Sequence, residues 1–140
     1  MAGKYGEGDA SFQAAGGLEG LRKLVDRFYR AMDELPEART IRAMHPADLT
    51  EAKEKLTLFL SGWLGGEKLF SKKYGPIVIP KAHAHLELDE PERDAWLACM
   101  RVAVDEQDYA PAFKTYLMEQ LFVPAERCRI ASVNRRAQTD

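Results

Sequence analysis

Apolar side chains return every three or four positions along most of this chain, which is the spacing of a helix with one buried stripe. The first such run goes from Leu18 to Leu35 through Leu21, Leu24, Val25, Phe28 and Met32. Pro36 either ends it or starts a shorter helix. A second run from Ala47 to Trp63 carries Leu49, Ala52, Leu56, Phe59 and Leu60, and Gly65-Gly66 supplies a C-terminal stop. A third begins after Asp89, whose spacing to Glu92 around Pro91 is that of a capping box. It turns Ala95, Trp96, Cys99, Met100 and Ala103 inward and extends to about Asp108. A fourth, from about Ala110 to Phe122, places Phe113, Tyr116, Leu117 and Leu121 on one stripe before Pro124. No alternating period-two pattern competes with these, so the chain reads as all-α, with four main helices and several short ones.

Between the helices the pattern weakens in informative ways. Residues 1–17 are Gly- and Ala-rich and read as a loosely helical lead-in, residues 18–123 as the domain, and 124–140 as a polar tail. Pro46 biases His45 toward an extended backbone and makes it a corner residue. From Glu67 to Leu88 the chain is irregular, broken by Gly75-Pro76 and Pro80, and this stretch contains His83 and His85.

Composition narrows the classes. A chain of 140 residues, 46% hydrophobic and 30% charged, fits a single globular domain. The formal net charge is −2 and Lys and Arg are interspersed with Asp and Glu, which argues against a nucleic-acid partner. There is no apolar run of the ~20 residues needed to span a bilayer and no apolar stretch of a signal peptide at the start. Cys99 and Cys128 are too few for a disulfide framework, although one bridge between them is compatible with the sequence. The expectation is a soluble cytoplasmic protein.

The candidate chemistry centres on the histidines. His83 and His85 stand one residue apart after helix breakers, and histidine is the commonest protein ligand to transition metals. Two histidines at i and i+2 are equally the mark of a plain solvated surface, and spacing alone leaves both readings open. A structural zinc site would need about four ligands, and Cys99, Cys128 and the histidine pair lack the usual short paired spacing. No nucleophile elbow, phosphate-cradling loop or His-Glu-x-x-His element is present. Tyr29 lies one position off the Phe28 stripe and Trp96 on an inward stripe, so each carries a donor that needs a partner or an accessible cavity. The Gly-Gly pairs read as loop hinges.

Taken together, Phe28-Tyr29, the two Gly-Gly pairs, His83-Ala84-His85-Leu86 and Glu92-Arg93-Asp94-Ala95-Trp96-Leu97 resemble a truncated haemoglobin of group II, over about Gly16 to Leu121. The resemblance implies a globin-like two-over-two helical sandwich around one haem b, with His83 as the ligand to the iron. It implies Tyr29 and Trp96 as distal hydrogen-bond donors, Phe28 beside them, and His45 at a corner where relatives carry an aromatic residue or His. Ala52 falls where other globins often have a distal His or Gln, and Leu56 and Phe59 line the same side. Lys55 resembles a basic partner of the haem propionates, with Lys81 a further candidate. The ligands implied are O2, NO or CO, with slow oxygen release. Storage, sensing, NO detoxification and peroxide chemistry all stay open, as do an unidentified reductase and a homodimer.

Two other readings compete. A cofactor-free helical interaction module accounts for the amphipathic helices and predicts a colourless protein. A small metalloenzyme using His83, His85 and a cysteine predicts metal without a porphyrin band.

Overall fold

The computed structural model describes residues 4–76 and 86–139, and every secondary-structure element among them is helical. In chain order these are α1 (Ala10–Ala14), α2 (Gly17–Glu34), a 3-10 turn (Pro36–Ala38), α3 (Arg39–Ala43), α4 (Thr50–Trp63), α5 (Leu69–Tyr74), α6 (Glu90–Asp105) and α7 (Pro111–Thr139). The helix α2 packs on both α4 and α6, and α6 packs on α7, so the two pairs form the layers of the predicted sandwich. No helix among the described residues is long and apolar enough to cross a membrane.

The core follows the stripes. Leu21, Leu24, Phe28 and Met32 of α2 are at most 1% exposed, as are Cys99, Met100, Ala103 and Val104 of α6 and Phe113 and Leu117 of α7. Each large apolar side chain enclosed in this way contributes about 1.5–3 kcal/mol relative to exposure. The start of α6 is capped as expected, with the Asp89 amide donating to Glu92 Oε2 at 3.0 Å.

Two segments differ from the sequence reading. The lead-in is not loose from Tyr5 onward: the Tyr5 ring lies 5.2 Å from both Phe113 and Tyr116, and the Phe12 amide donates to Leu64 O at 3.0 Å. Ser11 is 1% exposed, and its Oγ accepts from the Gly6 amide at 2.8 Å. Gly65 makes this docking feasible. Its φ is +93°, and a Cβ there would stand 1.9 Å from Gly8 O.

The second difference is the C-terminal stretch, which is a continuation of α7 rather than a polar tail. Pro124 lies inside the helix, where it removes one ladder hydrogen bond and crowds the preceding turn. Tertiary partners outweigh that cost. Glu126 Oε1 accepts from Arg93 at 2.9 Å and from Arg129 at 2.6 Å, and Arg136 pairs with Asp89 at 3.0 Å. These bonds use polar residues that carry no helical stripe, so hydrophobic periodicity did not reveal them.

Candidate functional site

Four of the predicted residues come together where α2, α6 and the corner after α3 meet. Phe28 faces the seam with α6, its ring centroid 5.2 Å from that of Trp96 with planes inclined by 62°. The next residue on α2 turns toward the corner: Tyr29 lies 4.9 Å from Phe28 at 74° and 5.7 Å from His45 at 76°. The rings therefore form a chain from His45 through Tyr29 and Phe28 to Trp96, in edge-on geometries that aromatic pairs favour.

Tyr29 is 6% exposed, and burial pushes its phenol up to about 12. It is a protonated donor across the physiological range. Among the described residues neither the Tyr29 hydroxyl nor the Trp96 indole N–H has a hydrogen-bond acceptor, and none of their buried polar atoms is fully enclosed without a partner. Both donors thus retain access to space that a ligand or water can occupy. A distal pocket uses hydrogen-bond donors to hold a ligand on haem iron, and the residues present fit a haem-borne ligand on that ground.

His45 is held by two contacts from α3. Its Nδ1 lies 2.8 Å from Ile41 O, a carbonyl that can only accept, so Nδ1 carries the proton and Nε2 keeps the lone pair in the neutral ring. Arg42 organises the corner around it, donating to Pro46 O at 3.0 Å, Ala47 O at 3.2 Å and His45 O at 3.4 Å while its Nε meets Asp33 at 2.6 Å. Sequence reading missed Arg42. Its position just ahead of an X-Pro corner is the one signal that could have found it.

The remaining predicted residues lie along α4. Leu49, Ala52, Leu56, Phe59 and Trp63 are half-buried and pack against the core as one apolar strip, with Phe59 and Trp63 stacked 6.4 Å apart. Lys55, next to this strip in sequence, is exposed. It pairs with Glu51 at 2.9 Å, which raises its pKa, and sits 5.3 Å over the Tyr74 ring. Lys81, His83 and His85 lie outside the described residues. No disulfide joins Cys99 and Cys128, whose thiols burial pushes up to about 11. Among the described residues no three His, Cys, Asp or Glu side chains gather as a metal site.

Residues 10–126 match the family model of bacterial-like globins. The chain is also 31% identical over 117 residues to the group 2 truncated hemoglobin YjbI of Bacillus subtilis (strain 168), which covers 84% of this chain and 86% of that one. The chain belongs to the group II truncated haemoglobins. The solved structures agree. The group II 2-on-2 hemoglobin of the plant pathogen Agrobacterium tumefaciens superimposes with a TM-score of 0.80 at 34% identity, covering 85% of this chain and 92% of the other. The truncated oxygen-avid haemoglobin of Bacillus subtilis does so with a TM-score of 0.77 at 30% identity, covering 84% and 97%. The family implies a bound haem, and with it the affinity of a globin for small diatomic gases.

Proposed function

We propose that this globin binds one haem b through His83 and holds oxygen tightly at the iron's other face, releasing it slowly. The observation that carries the reading is the pair of donors, Tyr29 and Trp96, linked through Phe28 and left without acceptors among the described residues. When bound, the haem supplies a ferrous iron that takes O2, NO or CO.

The chain's own residues then decide how long the ligand stays. Oxygen gains partial negative charge on binding, and a donor in a dry pocket stabilises it by about 1–3 kcal/mol. Tyr29 serves this role with a proton it does not lose below strongly alkaline pH. Trp96 serves it with an N–H that has no acid–base chemistry in water. His45, with Nδ1 committed to Ile41 O, lies with its ring 5.7 Å from that of Tyr29. Ala52, Leu56 and Phe59 would keep water from the apolar side, and Lys55 and Lys81 are the candidate partners of the propionates.

The oxygen-avid relative from Bacillus subtilis supports the slow-release reading. Slow release suits chemistry on the retained ligand, such as NO detoxification with an external reductase, better than bulk delivery. The visible spectrum of the purified protein tests the whole reading. A strong porphyrin band that survives in Tyr29→Phe and Trp96→Phe but whose five-coordinate ferrous form is lost in His83→Ala is expected. A colourless protein overturns it.

A further inference from the structure

The segment that leads into α6, Leu86 to Asp89, is gripped by a part of the molecule beyond the family match. The matched residues end at 126, yet α7 runs on to Thr139. From that continuation Ser132, wholly buried, reaches the segment between His83 and α6. Its hydroxyl donates to Leu86 O and accepts from the Leu88 amide at 2.9 Å, so one side chain bridges two backbone groups of the same turn. One helical turn later, Arg136 donates to Leu88 O at 3.1 Å and forks onto both carboxylate oxygens of Asp89 at 3.0 and 3.1 Å. The Arg136 Nε also meets Ser132 O at 3.3 Å, tying the two clamping residues together.

We infer that Ser132 and Arg136 are positioning residues for His83, which precedes Leu86 by only three residues. This rests on the reading of His83 as the iron ligand. The physical argument is one of constraint. A short connection tethered at Leu86, Leu88 and Asp89 restricts how far the residues just before it can move, and buried bonds to backbone groups are costly to break. A forked arginine adds direction as well as attraction. Restricting the ligand's backbone restricts the tilt of its ring and the tension it exerts on the metal. Supporting contacts of this kind tune metal sites elsewhere. Because Asp89 also opens α6, the helix that carries Trp96, the same clamp links the proximal segment to the distal donor.

The test uses the holoprotein with Ser132→Ala, Arg136→Met and the double variant, read by the iron–histidine stretching band of the five-coordinate ferrous form and by the rate of haem loss to an apoglobin acceptor. Ser61→Ala is the control, since Ser61 Oγ donates to Glu67 O at 2.7 Å and anchors another loop by the same chemistry. The clamp predicts a shifted or broadened band and haem loss faster by about threefold to tenfold in the Ser132 and Arg136 variants, with neither change in the control. An unchanged band and rate, or equal changes in Ser61→Ala, overturns the inference. Should Ser132→Ala not accumulate as folded protein, Arg136→Met decides alone, because its side chain is part-exposed and its loss leaves no cavity. If the parent protein shows no iron–histidine band, or His83→Ala keeps one, it is the ligand assignment that fails instead.

Discussion

Phe28 meets Trp96 edge to face, ring centroids 5.2 Å apart, while its other neighbour Tyr29 lies 4.9 Å away on the same helix. One enclosed ring thus braces both proposed donors. Removing either donor hydrogen bond while keeping the ring, by Tyr29→Phe or by Trp96→Phe, is expected to speed oxygen dissociation about tenfold or more, as followed by stopped-flow ligand displacement. The double variant need not show the product of the single effects, since residues sharing a packing neighbour couple. Unchanged rates in both single variants rule out the donor assignment.

Phe28 itself carries a separate expectation. It is wholly buried, so Phe28→Ala leaves a cavity at the junction of α2 and α6 and lowers stability by about 3–5 kcal/mol. Thermal melts followed by circular dichroism measure this. Phe28→Leu, which restores much of the volume, is expected to lose markedly less, and its oxygen release is expected to lie between the parent and the donor variants because the bracing is only partly kept.

Much of this architecture was legible because it rests on apolar periodicity. The stripe from Leu18 to Leu35 became α2, and the Asp89–Glu92 spacing became a real cap. Periodicity placed Phe28 and Trp96 on inward stripes, whereas their gathering with Tyr29 and His45 in one pocket was implied only by the resemblance to the family. The continuation of α7 past Pro124 was not legible, since it depends on Glu126, Ser132 and Arg136 finding partners far away in sequence, and no local pattern encodes a contact across some forty residues. The ordered lead-in escaped for a related reason. Its anchors are Tyr5 against Phe113 and a backbone bond from Phe12 to Leu64, and neither is a periodic feature.

Gly65 provides a test of that docked lead-in. A side chain there must adopt a left-handed backbone and also collide with Gly8 O. Gly65→Ala is expected to cost about 1–3 kcal/mol from backbone strain, with a further loss as residues 4–9 are displaced. Limited proteolysis should then cut near Gly6 or Gly8 in the variant and not in the parent. Equal resistance in both proteins would show that the lead-in contributes little.

The alkaline titration isolates Tyr29. Burial raises both Tyr29 and Tyr109 from 10.0 to about 12. A phenol whose folded-state pKa is raised favours folding below the unfolded value and loses that contribution as pH rises from 10.0 toward about 12. Tyrosinate absorbance should therefore show Tyr29 and Tyr109 titrating late, and Tyr29→Phe should remove one of these late steps.

Acid acts instead at the carboxylate that helps α7 continue. Hydrogen bonds from Arg129 and then Arg93 hold the Glu126 carboxyl well below its usual 4.5, at about 2. A folded-state value lower than the unfolded one means that the interaction is fully present above 4.5 and fades as pH falls toward about 2. The parent should therefore resist urea better than Glu126→Gln at neutral pH, with the gap in midpoints narrowing below pH 4.5 and closing near pH 2. Both partners are partly exposed, so added salt should shrink the neutral-pH gap as well. A gap independent of pH would mean that Glu126 matters for its packing and not for its charge.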